Sequence, residues 1–218
     1  MNKLLLSAVL LFSSSAFASL IGNVDHAYGT DNYVPSFLGS TACDTKHANS
    51  LTVKDSGPIN CQRFVDVFDF SAFDFASVDY FELELTFSAT NNDNCWWIFC
   101  DYENWYVRPA KSTSFAATSS EERSLIRADG KTIQTFMFNA TNLSSIFSDI
   151  VDNKKFYLWF AEESFGSDQF NLFNAKLSVY GSPVIIDVGN NIDPAKVPAP
   201  ASLALLGLGL LMLGRFKK

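Results

Sequence analysis

The residues best suited to chemistry in this chain run from Cys95 to Tyr106: Cys95-Trp96-Trp97-Ile98-Phe99-Cys100-Asp101-Tyr102-Glu103-Asn104-Trp105-Tyr106. Three of the four tryptophans fall here. Indole and phenol rings offer flat apolar faces with a polar edge. The C–H faces of sugar rings stack on such surfaces, while Asp101, Glu103 and Asn104 supply partners for hydroxyl groups. A disulfide-stapled loop is preorganised, so it loses less entropy on binding. One expectation is therefore a carbohydrate or protein contact through Trp96, Trp97, Tyr102, Trp105 and Tyr106. The plainer expectation, and the leading one, is that alternate aromatics pack into a sheet core and the rest cover its edge.

Catalytic chemistry finds little material. The two histidines, His26 and His47, lie in what reads as irregular sequence. No Gly-x-Ser-x-Gly elbow, His-Glu-x-x-His pair or phosphate loop occurs. Glu162 and Glu163 are adjacent, and neighbours on a strand point to opposite faces, so they do not form a glycosidase couple together. A secreted polysaccharide hydrolase would need carboxylates drawn from distant positions. Asp66, Asp69, Asp74 and Asp79 could offer oxygens to a structural calcium, which takes six to eight, but they form no recognisable loop. The simpler expectation is a solvated surface, with no metal and no cofactor. Cys43 and His47 have the spacing of half a zinc site, without a second pair to complete it.

The cysteines are Cys43, Cys61, Cys95 and Cys100. An even count in an exported chain predicts disulfides. Of the three pairings, the sequence-local one is favoured, Cys43 with Cys61 and Cys95 with Cys100. The chain's net charge of −7 becomes −11 once its two ends are removed, because those ends carry Lys3, Arg215, Lys217 and Lys218 and no acidic residue. An acidic body repels nucleic acid, which excludes that class of partner.

The elements that must position these residues read as β structure. Phe81, Leu83, Leu85 and Phe87 alternate with Glu82, Glu84, Thr86 and Ser88, which predicts a strand with one buried and one wet face. Phe173, Ala175, Leu177 and Val179 repeat the pattern. Residues 64–70, 132–138 and 156–160 are further strands by composition. Leu143, Ile146, Phe147 and Ile150 fall at helical spacing behind Thr141 and Asn142, which can cap a short helix. Strands of this length with turns between them predict an all-β, antiparallel β-sandwich of jelly-roll-like form with one short helix. The 21 phenylalanines would fill the space between its sheets.

Both ends carry addresses. Lys3, the apolar run Leu4 to Phe12 and the small-x-small Ala16-Phe17-Ala18 make a signal peptide, residues 1–18, cut by signal peptidase between Ala18 and Ser19. The domain would occupy residues 19–184 and a linker residues 185–196. At the far end, Val197-Pro198-Ala199-Pro200 is stiff and extended. The apolar Ala201 to Leu213 follows, and then a basic tail with Arg215, Lys217 and Lys218. As a helix the apolar part spans about 20–24 Å at roughly 1.5 Å per residue, short against a bilayer core of about 30 Å. That suits a transmembrane helix entering provisionally, with the basic tail as its stop.

Residues 197–218 resemble the PEP-CTERM sorting signal of Gram-negative bacteria, a proline-bracketed motif followed by an apolar helix and a short basic tail. The position of the motif's glutamate is Ala199 here. The resemblance implies recognition by an exosortase, transient residence in the inner membrane, cleavage near the motif, and delivery to the cell surface or extracellular matrix. Family members are often encoded beside exopolysaccharide systems. The leading expectation is a non-catalytic exported protein acting in biofilm, exopolysaccharide or adhesion. The alternatives are a lectin-like carbohydrate-binding module and the secreted hydrolase.

Overall fold

A computed structural model describes residues 18–38, 43–54, 63–91, 94–96, 99–101, 103–162 and 168–184. Most of the signal peptide, Cys61, Trp97, Tyr102, the 185–196 linker and the 197–218 sorting signal lie outside the described residues. Among the described residues no helix is long and apolar enough to cross a membrane. The chain divides after Val184.

The first of the two units runs through β1 (Ser19–Ala27), β2 (Thr45–Lys46), β3 (Leu51–Lys54), β4 (Asp66–Asp69), β5 (Phe75–Ser88), the hairpin β6 (Asn94–Trp96) and β7 (Phe99–Asp101), and β8 (Trp105–Ala110). A 3-10 turn (Ser119–Glu121), β9 (Arg123–Ser124), β10 (Thr132–Asn139), α1 (Phe147–Asn153), β11 (Lys155–Glu162) and β12 (Gln169–Pro183) follow. The unit is all-β with antiparallel sheets and one short helix, as the alternating pattern predicts. A six-stranded sheet has the order β10-β5-β12-β3-β2, with β1 also paired to β12. A four-stranded sheet has the order β4-β11-β8-β9.

Period-two alternation explains how the two sheets share one core. Phe81, Leu83, Leu85 and Phe87 of β5 are fully buried, as are Phe156 and Leu158 of β11. The ring of Phe81 meets Phe70 at 5.5 Å, Phe147 at 5.4 Å and Phe156 at 5.7 Å between centroids. One side chain thus joins both sheets to the helix. Such tilted pairs add about 0.5–1.5 kcal/mol each beyond the area they bury.

Two local readings need correction. In β12 the register shifts between Leu172 and Asn174. An extra residue at a bulge flips the side chains that follow. Leu172, Ala175, Leu177 and Val179 are therefore the buried set, and Phe173 is only partly buried. The helix begins at Phe147, later than its expected caps. Asn142 closes the end of β10 instead: its Oδ1 accepts the Asn139 N–H at 2.9 Å and its amide donates to the Met137 carbonyl at 2.9 Å. The four apolar residues at helical spacing are nevertheless all buried.

β1 lies antiparallel to β12, with Ser19 opposite Gly181, and Ser19 Oγ donates to the Gly181 carbonyl at 3.0 Å. Phe75 pairs with Pro183, and Ser88 pairs with Asn171. Ser19 and Val184 thus sit at one pole of the six-stranded sheet. Ser88 sits at the other, six residues before the hairpin strand β6.

Candidate functional site

The stretch read as a single aromatic loop is two elements. The β6–β7 hairpin places Cys95 opposite Cys100 in register. Trp105 then opens β8, buried in the core at 3 % exposure, with its ring edge-on to Phe170 at 4.8 Å and its indole N–H donated to the buried Glu103 carboxylate. Trp105 and Glu103 therefore do not belong to an exposed stacking surface. Tyr106 is half-buried on the opposite face of β8. Cys43 is disulfide-bonded, which removes it from a zinc site, and His47 hydrogen-bonds through Nε2 to Thr52 Oγ1 at 2.8 Å.

The strongest polar cluster was not legible as a site. Asp66 is fully buried at the start of β4. Its Oδ2 accepts from Tyr28 O–H at 2.6 Å and lies 2.7 Å from His26 Nδ1; its Oδ1 accepts from Tyr33 O–H at 2.8 Å and from the Val67 N–H at 2.7 Å. A carboxylate accepts only, so Nδ1 carries the hydrogen toward Asp66. His26 lies on β1, contrary to the irregular reading, and its ring is stacked between Tyr33 at 4.0 Å and Phe68 at 4.5 Å. Burial first, and the Asp66 carboxylate second, hold both phenols well above the ordinary tyrosine range, so both remain donors near neutral pH. An orienting carboxylate with a histidine is half of a nucleophilic triad. No hydroxyl or thiol bonds to His26 Nε2 among the described residues, and both ring faces are covered. What the arrangement does is lock β1, the following turn and β4 together.

That turn depends on Gly29. Its φ is +131°, and a Cβ there would sit 2.2 Å from the Ala48 carbonyl oxygen. Gly29→Ala is expected to cost about 2 kcal/mol from strain and displaced backbone, because Tyr33 is held through the Gly29 N–H at 2.9 Å. A thermal melt with an unchanged midpoint would refute this.

The aspartates considered for calcium do not converge. Asp66 is committed as described, and Asp69 is exposed and caps the Ser71 N–H at 2.9 Å. Among the described residues no group of three His, Cys, Asp or Glu side chains could hold a metal ion.

Two cavities share Arg63. The smaller, about 110 Å³, is lined by residues including Lys54, Trp105, Arg108 and Glu162. Arg108 is already engaged, with Glu122 at 2.6 Å and with the Ala117 carbonyl at 3.2 Å. The larger, about 420 Å³, is lined by Phe37, Arg63, Val65, Thr113 and Trp159. It lies on the outer face of the four-stranded sheet. Pairing of Leu158 with Asp66 sets Trp159 beside Val65, and both alternate with core residues. Trp159 is the one tryptophan outside the aromatic stretch. Its outward phase follows from Phe156, Leu158 and Phe160 facing in, and that alternation was the available signal. No protein-family model matches the chain, and no curated protein matches it.

Proposed function

We propose that this chain is an exported, non-catalytic protein of a Gram-negative cell surface or extracellular matrix, with a jelly-roll-like β-sandwich body and a C-terminal signal for an exosortase-type enzyme. One observation carries the reading. The first strand opens at Ser19, directly after the Ala16-Phe17-Ala18 cleavage pattern, and Ser19 is paired across to Gly181. Signal peptidase would therefore release a body whose sheet is complete from its first residue. The disulfide at Cys43 fits an oxidising compartment. The body ends at Val184, which leaves the 185–196 linker and the 197–218 signal to the inner membrane and the sorting enzyme.

The carbohydrate-binding reading draws support from topology. The β6–β7 hairpin follows the end of β5 at the pole opposite Ser19 and Val184. A glycan contact at that hairpin would lie at the pole of the sheet opposite the Ser19 and Val184 end.

Deleting Val197 to Lys218 tests the sorting reading. The expected outcome is loss of the protein from the surface and matrix fractions, with the native protein's intact mass lacking both residues 1–18 and the tail beyond the Pro198–Pro200 region. Unchanged fractionation would refute sorting by this signal.

A further inference from the structure

We infer that the cavity lined by Phe37, Arg63, Val65, Thr113 and Trp159 on the outer face of the four-stranded sheet binds a carboxylated saccharide, a uronic acid residue of an acidic polymer. Its volume, about 420 Å³, falls within the roughly 300–1,000 Å³ typical of small-molecule sites, whereas the neighbouring cavity is too small.

The chemistry of the lining sets the ligand class. Arg63 is exposed and has no ion-pair partner among the described residues. Its guanidinium donates only, in a fork that matches a carboxylate. Trp159 is buried at 8 % exposure, and its indole N–H finds no acceptor among the described residues. A buried donor left unmade is unfavourable, and most such groups have partners. Thr113 adds an exposed hydroxyl. Among the described residues no acidic side chain lines it, although the body as a whole carries an excess of acidic side chains. The guest must therefore bring negative charge.

Phe37, 37 % exposed, and Val65 supply an apolar wall. A uronic acid offers a carboxylate for Arg63, hydroxyl oxygens for Thr113, and a C–H face for Phe37. A neutral sugar would leave the cation unmatched, and a bare inorganic anion would leave the apolar wall empty.

This site is built from residues other than those of the β6–β7 hairpin and goes beyond the export reading. It is tested on purified protein, so failure to bind and failure to sort are separate results. The intact chain, oxidised and in mild detergent, would be titrated with oligomers of galacturonate, mannuronate and glucuronate and with a neutral galactose oligomer. Binding would be followed calorimetrically and by the indole N–H resonance that Trp159→Phe removes. At least one acidic oligomer should move that resonance and bind at least tenfold more tightly than the neutral one. Arg63→Gln, at an exposed position, should weaken binding at least tenfold with no fall in the melting midpoint. Silence toward all three acidic oligomers would overturn the inference. So would equal binding of the neutral oligomer, or an equal response to acetate or inorganic phosphate alone.

Discussion

Replacing Asp66 with alanine is expected to destabilise the body by about 4 kcal/mol, the range found when one partner of a buried charged network is removed. The substitution strips the acceptor from four donors at once: the His26 ring, the Tyr28 and Tyr33 hydroxyls and the Val67 N–H. Tyr28 is fully buried and cannot turn to solvent, so its hydroxyl bears the full desolvation penalty. For a body of this size the melting midpoint should fall by roughly 8–15 °C. Asp66→Asn keeps the volume but sets an amide donor against a ring of donors, so it should recover only part of the loss. Urea unfolding of the oxidised protein reads the difference directly. A loss under about 1 kcal/mol for Asp66→Ala would mean that the cluster is not the fastening described here.

Glu121→Gln should cost about 2–3 kcal/mol at neutral pH, and the loss should vanish in acid. Glu121 is 7 % exposed and ties the 3-10 turn to the turn that precedes α1. Its carboxylate accepts from the Thr118 N–H at 3.0 Å, Thr118 Oγ1 at 2.8 Å, the Ser145 N–H at 2.8 Å and the Ser145 hydroxyl. Burial pushes its pKa up, but these hydrogen bonds from Ser145 and Thr118 together outweigh burial and bring it from 4.5 to about 2. A carboxyl depressed in the folded state contributes fully above its unfolded value and loses that contribution as pH falls through the folded one. The stabilisation is therefore complete above about pH 4.5, declines below it, and is gone below about pH 2. Urea midpoints for both proteins at pH 7, 4, 3 and 2 should converge. A gap that stays constant to pH 2 would show that it comes from packing and not from the charge.

Where the sequence alternated cleanly, it foretold both the element and its buried face. β5 is the clearest case, because its four apolar residues all face one core. The helix was legible in its apolar spacing and not in its start, because Asn142 can hydrogen-bond backward to β10 as readily as forward. β1 was missed. No residue of Ser19–Ala27 is fully buried, so its pattern carries almost no amplitude. His26 consequently looked stranded in irregular sequence.

Asp66 was grouped with three other aspartates because composition cannot tell them apart. Yet Phe64, Asp66, Phe68 and Phe70 share one phase of a strand, and a carboxylate on the apolar phase has to find donors inside. Trp159 shows the converse, an indole on the outward phase between inward-facing residues. Each was visible once phase, rather than residue type, was followed. What brings His26, Tyr28 and Tyr33 to Asp66 is the packing of one sheet on the other, between segments some 30 to 40 residues apart, and no local pattern encodes that.

The position of β12 also has a mechanical meaning. It is the longest strand, flanked by β5 along one side and by β3 and β1 along the other. Tension entering at Val184 and resisted at the far pole runs along the strand axis. It must slide β12 against both neighbours, loading many hydrogen bonds together. Tension applied between Ser19 and Val184, which lie at the same end, would instead peel β1 away one bond at a time. Under the proposed export and sorting, which would free the N-terminus and hold the body by its C-terminal side alone, drag would act in the stronger of these two directions.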